Sequence, residues 1–450
     1  MDRAIEDFVR NLGLDAYLVG GAVRDEALGL DSKDADFLVP GVDYDGLRAA
    51  LEPYGRVEDL VVAGRRVGAR LYPRDRDLRK LAAAGIEFAP PRAERSTGPG
   101  RHDFEIVADP SISIEGDMAR RDFTVNAMAK RLETGELVDP FGGESDLKEG
   151  VLRTVAPSSF AEDPLRLVRG LRLVAQLGLR PDEATLEQMR EHADSVRLVS
   201  GERVGGGLDS DGMGELSKLL LGRAPAAALL LARDTGVLTA LLPEFEPVIG
   251  FEQGGVRHPV PLDEHIFGVV QAAADYDASL AVRLAALFHD VGKPGADGDH
   301  AERGAELAAQ ALRRLRYPNT LRSRVTRIVR AHAFPLDDVD ELFARRFLRT
   351  HGDELAFDLI AHKEADLRGK NVGRDELEAA ARLRRLLEQE RAQPHRLADL
   401  AVDGADLIEL GFSEGPELGR TLESLLDSVV DEPALNTREQ LLERAKERVP

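Results

Sequence analysis

The stretch "AYLVGGAVRDEALGLDSKDADFLV", Ala16 to Val39, decides how the first third of the chain is read. "AYLV" reads as a strand, Gly20-Gly21 as a tight turn and "AVRDEALG" as a short helix. Glycines at such a turn let an anion approach bare backbone N–H groups at the helix N-terminus, where the dipole also favours negative charge. Arg24 adds a cation nearby. A Gly-Gly turn can equally serve structure alone. The D-A-D triplet adds chemistry: strand alternation puts Asp34 and Asp36 on one face. Two carboxylates at that spacing repel unless a cation sits between them, and Mg²⁺ takes oxygen ligands while bridging to phosphates. The bland alternative is a solvated turn carrying two acids, but "DFLVPG" reads as a strand entering a core. Glu87, in "GIEFAPPR", is a third candidate ligand; an edge-strand surface acid is the other reading.

Outward from this stretch, 450 residues with 43% hydrophobic content allow two to four domains. There is no Cys, so disulfides and thiolate chemistry are excluded and any metal must sit on His, Asp or Glu. The formal net charge of −21 argues weakly against nucleic acid. Arginines nevertheless cluster in "RRVGARLYPRDRDLRK", "RLVRGLRLVAQLGLR" and "RRLRYPNTLRSRVTRIVR". The acidic N-terminus lacks the form of a signal peptide, and no apolar run reaches membrane-spanning length. These features predict a cytoplasmic protein with no membrane partner.

Short β-type runs punctuated by Gly and Pro fill the first 155 residues; from Ser158 the apolar residues recur at three and four spacing. An α+β protein is therefore expected, with an α/β head on an all-α body. The expected division is 1–155, 156–250, 251–370 and 371–450. "VGGGLDSDGMG" (Val204 to Gly214) reads as a loop, and "EPVIGFEQGGVRHPVPLDEH" (Glu246 to His265) as a domain junction.

Further motifs follow in order. "RRDFTVNAMA" offers Arg121 to clamp a triphosphate and Asp122 to accept from a ribose hydroxyl. "DPFGGESDL" reads as a positioning loop. In "EDPLRLVRGLRL", helical spacing makes Glu162 and Asp163 face neighbours of Arg166. As a surface ion pair that would be worth only about 0.3–0.5 kcal/mol. Facing a base, Asp accepts and Arg only donates, an edge that matches cytosine and adenine but not uracil or guanine. Arg169, one turn on, is read as a phosphate or helix contact.

"LVGGAVRD…DADF" resembles the first motif of the polymerase-β-like nucleotidyltransferases. With the three motifs just quoted it resembles, within them, the bacterial tRNA nucleotidyltransferase (CCA-adding) and poly(A) polymerase family, class II. "GELSKLLLG" and the C-terminal "LIELGFSEGPELGRTLESLL" fit the same likeness, which spans nearly the whole chain. The resemblance implies a polymerase-β-like nucleotidyltransferase head that uses Mg²⁺ to add CMP and AMP, from CTP and ATP, to the tRNA 3′ end. It implies that Asp34, Asp36 and Glu87 are catalytic. Gly20, Gly21, Arg24, Arg121, Asp122, Glu162, Asp163, Arg166 and Arg169 would bind nucleotide, with Glu162 orienting Arg166. The chain departs from the family at "SGERVGGGLDSDGMGELSKLLLG", where extra Gly and Asp lengthen the connection.

The helical half carries a second constellation: His265, the adjacent pair His289-Asp290, His300, His332 and Asp366. It resembles the HD phosphohydrolase superfamily. His265, His289, Asp290 and Asp366 would hold one divalent ion (Mg, Mn or Ni), and His300 and His332 are candidates for a second ion or for phosphate.

Three rival readings stand beside CCA addition. One is a poly(A) polymerase or a partial enzyme adding only CC or only A. Another is a metal-dependent phosphohydrolase with a nucleotide-sensing head, which has no need of paired metal-binding acids. The last is a non-catalytic RNA-binding protein.

Overall fold

A computed structural model of the chain describes residues 1–30, 35–62, 64–96, 104–108, 111–206, 213–254, 260–295, 298–370 and 373–448. They form two compact units. The first is Met1–Glu246 together with Leu312–Tyr317, the second Pro247–Ala311 with Pro318–Pro450. The chain passes from one to the other inside the stretch read as a junction.

The first unit is built on a mixed sheet. Its strands are β1 (Tyr17–Val19), β2 (Asp36–Leu38), β3 (Gly55–Val62), β4 (Arg65–Pro73), β5 (Ile86–Ala89), the separate hairpin β6 (Arg92–Ser96) and β7 (Phe104–Ala108), then β8 (Ala129–Arg131) and β9 (Leu137–Val138). The seven-stranded order is β3-β4-β5-β2-β1-β8-β9, antiparallel throughout except for the central β2–β5 pair. Alternation sorts the side chains of that pair. Phe37 lies opposite Phe88, and the two buried rings stack at 5.4 Å. Asp36 lies opposite Glu87, and Glu87 lies opposite Arg70 of β4, so the polar residues form a row across three strands.

Beyond the sheet the unit is mostly helical, with one short parallel pair of Val151–Leu152 and Arg180–Pro181. The helix Leu165–Leu177 presents Gly170 to the ring of buried Phe123; a Cβ at Gly170 would lie 2.9 Å from Phe123 Cζ. The stretch expected to be a loop begins otherwise. Glu202–Gly206 form a π-helical turn, residues 207–212 lie outside the described ones, and Gly214 caps the helix Glu215–Leu220. The turn is regular because its glycines are packed. A Cβ on Gly201, Gly205 or Gly206 would collide with the backbone of Arg314, Leu315 or Arg316, and Gly206 N–H donates to Leu315 O at 3.1 Å. Buried Tyr317 Oη shares a 2.9 Å hydrogen bond with Ser217 Oγ and completes this strap.

Among the described residues the regular structure of the second unit is all helical. The helices Leu262–Asp275, Leu280–Phe288, Asn319–Ala331 and Asp353–Arg368 pack together, and a smaller apolar cluster around Leu407, Phe412, Leu425 and Leu441 holds the C-terminal helices. Two close approaches position polar residues. Gly369 sits against Val269, and Gly292 sits against the backbone of His300 and Gly304, where any Cβ would clash.

Candidate nucleotide site and metal centre

The Gly-Gly turn is where the sequence places it. Gly20, at φ 70, caps the helix Gly21–Ala27. The Arg121 guanidinium lies against it, for a Cβ on Gly20 would stand 2.6 Å from Arg121 Nη1. Asn126 ties this corner together. Its Oδ1 accepts from Arg24 Nη1 at 2.6 Å and its Nδ2 donates to Asp122 Oδ1 at 3.1 Å. Asp122, buried, also accepts from Phe123 N–H at 2.8 Å and ion-pairs with Arg169 at 2.9 Å. That Arg169 contact is not aligned as a hydrogen bond, and Asp122 Oδ2 accepts none. Beneath them the fully buried Asp117 holds Arg120 at 2.8 Å and Arg121 at 3.3 Å. Burial alone would push the Asp117 carboxyl up; the two guanidiniums outweigh it and hold it below the ordinary value.

Asp36 and Glu87 share the polar row, and Arg70 Nε donates to Glu87 Oε1 at 2.9 Å. Asp34 lies outside the described residues.

Glu162, Asp163 and Arg166 do not sit on one continuous helix, as helical spacing implied. The helix Ser159–Glu162 ends, Asp163 is extended at φ −141 and ψ 101, and Leu165–Leu177 starts afresh after Pro164. The ring of Pro164 disfavours helical geometry at the residue before it, which is the physical reason. Glu162 still reaches Arg166 at 3.3 Å, four residues on. Asp163 turns elsewhere: its Oδ1 accepts from Leu165 N–H at 3.1 Å, and both oxygens meet Arg203, at 3.3 and 2.9 Å. Arg166, buried, donates to Arg120 O at 2.7 Å and Ser159 Oγ at 2.9 Å.

In the second unit, four donor atoms converge. His265 Nε2 and His289 Nε2 are 3.2 Å apart. Asp290 Oδ2 is 3.5 and 3.2 Å from them, and Asp366 Oδ1 is 3.4 and 3.6 Å from them. The outer nitrogens fix the tautomers. His265 Nδ1 faces Gly369 O at 3.1 Å and His289 Nδ1 faces Ala286 O at 2.8 Å. A carbonyl only accepts, so each Nδ1 carries the proton and each Nε2 of a neutral ring presents a lone pair. The two imidazole lone pairs and an Asp290 oxygen, all buried and within 4.8 Å of one another, with Asp366 Oδ1 beside both imidazoles, suit a divalent cation. Asp366 Oδ1 accepts no hydrogen bond; Asp290 Oδ2 has Lys293 Nζ at 2.6 Å but no aligned bond either. Burial pushes the His289 imidazole down. At His265 burial is outweighed by Asp290 and Asp366, which hold it above its ordinary value. Asp290 and Asp366 stay well below the carboxylate range despite burial, through His289 and His265 respectively.

The other oxygen of Asp290 faces a second group. Oδ1 is 3.4 Å from His300 Nε2 and 3.6 Å from His332 Nε2, and His332 Nδ1 donates to Val329 O at 2.7 Å. The close fit of Gly292 against His300 brings this residue to Asp290.

Residues 16–153 match the poly A polymerase head domain, 178–249 the probable RNA and SrmB-binding site of polymerase A, and 262–406 the HD domain. A multifunctional CCA protein of Xanthomonas campestris is 35% identical over 437 residues, 91% of this chain and 96% of that protein. This chain belongs to the multifunctional CCA protein family. Its fold is shared with a Bacillus stearothermophilus CCA-adding enzyme solved in complex with CTP, at a TM-score of 0.71 and 24% identity, covering 99% of this chain and 96% of that one. It is shared too with a Thermotoga maritima CCA-adding enzyme solved with tRNA, at a TM-score of 0.59 and 21% identity, covering 100% and 94%. No helix among the described residues is long and apolar enough to cross a membrane.

Four residues at the sites of this family member escaped the sequence reading. Asp117 and Arg203 carry no local signal, since their partners are fixed only by tertiary packing. Asn126 lies inside a quoted motif but reads as a turn residue. His362, fully buried between His289 and His332 at ring separations of 5.1 and 5.6 Å, lies four residues before Asp366, and that spacing could have exposed it. Burial, with those two imidazoles, holds His362 well below its ordinary value.

Proposed function

We propose that the first unit carries out template-independent CCA addition: the 3′ hydroxyl of a tRNA attacks the α-phosphate of CTP or ATP, and pyrophosphate leaves. The observation that carries this reading is the shared face of Asp36 and Glu87 beside the Gly20–Arg121 corner. Asp34, Asp36 and Glu87 are the residues that would hold Mg²⁺, which neutralises triphosphate charge and acidifies the attacking hydroxyl. Gly20 and Gly21 let the phosphates reach the backbone, with Arg24 and Arg121 supplying positive charge. Asp122 Oδ2, with no aligned donor, is the acceptor for a ribose hydroxyl. Asp163 accepts from the amino group of cytosine or adenine, Arg166 donates to the adjacent ring nitrogen, and Glu162 steadies Arg166. Arg169 reaches a phosphate or holds Asp122. Residues 1–155 then serve as the nucleotidyltransferase head, 156–250 as the base- and tRNA-binding neck, 251–370 as the metal-binding domain and 371–450 as the tail. The site of action is the cytoplasm.

The test is incubation of tRNA lacking its terminal CCA with labelled CTP and ATP in Mg²⁺. Incorporation of both in a limited run is expected. Long A tracts on varied RNA would point to a poly(A) polymerase, and incorporation of one nucleotide alone to a partial enzyme.

A second activity is favoured by the converging donors of the second unit. His265, His289, Asp290 and Asp366 would hold a divalent ion, which supplies an activated water for phosphoester hydrolysis. Lys293 and Lys370, ion-paired to Asp290 and Asp366 at 2.6 and 2.5 Å, place positive charge beside the site for a phosphate. Release of phosphate from a model phosphoester, lost in His289→Ala, is the expected result.

A further inference from the structure

Three arginine-rich runs stand in a chain of net charge −21. In the run Arg166 to Arg180, Arg166, Arg169 and Arg172 pair with Glu162, Asp122 and Glu215. The run Arg313 to Arg330 is divided between the two units. The run Arg65 to Lys80 lies wholly in the first unit, and its C-terminal end is not neutralised. Among the described residues, no carboxylate pairs with Arg74, Arg76 or Arg79, and all three are exposed. Arg79 donates to Pro73 O at 2.8 Å and to Arg74 O at 3.2 Å, which pins its guanidinium against the Arg74 backbone. Asp75, between Arg74 and Arg76, serves as a helix cap: its Oδ1 accepts from the N–H groups of Asp77 and Leu78, both at 2.9 Å. Asp77 takes Lys80 at 3.2 Å.

The strand that delivers these arginines also faces the nucleotide site. Arg70 of β4 is paired in register with Glu87, and Glu87 with Asp36. Ala69 and Leu71 point to the opposite face and are fully buried. Tyr72 therefore shares the face of Arg70. Arg56 of β3 stands opposite Tyr72 in the register, its guanidinium carbon 4.4 Å from the ring centroid. An arginine over a tyrosine is a surface on which an unpaired base stacks. Arg74 follows two residues on, its N–H bonded to Tyr54 O at 2.7 Å. Four residues of extended chain, roughly 13 Å, thus lead from the polar row to the exposed arginines.

A chain this acidic repels RNA as a whole, so its phosphate contacts must be made at a local surplus of cations. We propose that Arg74, Arg76 and Arg79, with Tyr72 and Arg56 beside them, bind the tRNA strand just behind its 3′ end. The arginines hold phosphates, and the Arg56–Tyr72 pair holds a base. The inference rests on the tRNA-extension reading of the first unit and adds an RNA-binding edge to it.

The full chain and its variants are tested with tRNA lacking its terminal CCA, by equilibrium binding across a salt series and by steady-state CTP incorporation. Arg79, which also ties the strand end, is left in place. Arg74 and Arg76 are exposed, so their replacement leaves folding intact, checked by an unchanged Tm. In Arg74→Ala/Arg76→Ala, tRNA affinity is expected to fall by at least about 10-fold. The slope of log affinity against log salt should shrink by about 1 per arginine removed, and KM for CTP should change by less than about 2-fold. Arg74→Lys/Arg76→Lys should restore the slope, since a phosphate contact needs charge rather than the planar fork. Tyr72→Leu should weaken tRNA binding by about 5-fold or more at an unchanged slope. Wild-type affinity and slope in the alanine variant would overturn the proposal. So would loss of CTP affinity in step with tRNA affinity, which assigns the arginines to the triphosphate. Unchanged affinity in Tyr72→Leu would overturn the base contact. A wild type that neither binds nor extends the tRNA overturns the extension reading and this edge together, whereas normal extension with unaffected variants overturns the edge alone.

Discussion

In the first unit four acids at the nucleotide site lean on arginines of the chain itself: Glu87 on Arg70, Asp163 on Arg203, Asp122 on Arg169, Asp117 on Arg120 and Arg121. In the second, Asp290 and Asp366 pair with Lys293 and Lys370, and each also turns an oxygen to imidazole nitrogens whose protons face outward to backbone carbonyls. The difference fits what each site is proposed to bind. A triphosphate and an RNA end come and go, so their site must hold its shape through permanent internal pairs. A cation held in the second unit would itself be the partner of the imidazole lone pairs left facing one another there.

The sharpest way to break this comparison is to exchange the effects. Asp36→Ala should lower CTP and ATP incorporation into tRNA by at least about 10²-fold, and His289→Ala should leave it unchanged while weakening metal binding at the His265–His289 position. Equal loss in radiolabel assays of both variants would mean the two sites are one machine. Next in size is the internal pairing of the head. Asp117→Asn leaves Arg121 uncompensated and should cost about 3–5 kcal/mol, read by urea unfolding. The sign of its pH dependence follows from a carboxyl held below its ordinary value of 3.8. Its contribution is complete above that value and disappears as pH falls through the native one. The wild-type Tm should therefore drop below about pH 4, and the Asp117→Asn Tm should drop less steeply.

Smaller effects sharpen the picture of base choice. Asp163→Ala should reduce discrimination of CTP over UTP by about 10–100-fold, with a smaller change in triphosphate affinity. Unaltered discrimination in competition assays would remove the protein-made edge. Arg203→Ala, which frees Asp163 without deleting it, should relax the same discrimination less and cost about 1 kcal/mol of stability.

The strand-turn-helix-strand opening was legible because glycine pairs and period-two alternation are local signals, and the order of the later motifs made the family resemblance specific. The HD-type site was legible as a list of histidines and aspartates. Its geometry was not, because Gly292 and Gly369 set it by letting backbones approach. The helical spacing of Glu162, Asp163 and Arg166 misled, although Pro164 in the same motif marks the break. Arg203 was hidden because forty residues of chain separate it from Asp163, and no periodic signal crosses that distance.

The strap of Leu312–Tyr317 has a consequence for biosynthesis. The first unit cannot finish folding when Glu246 leaves the ribosome, because the backbone that covers Gly201, Gly205 and Gly206 has yet to be translated. A fragment ending at Glu246 should bind hydrophobic dye and be cut by protease near Val204, and a synthetic peptide carrying the strap should protect it.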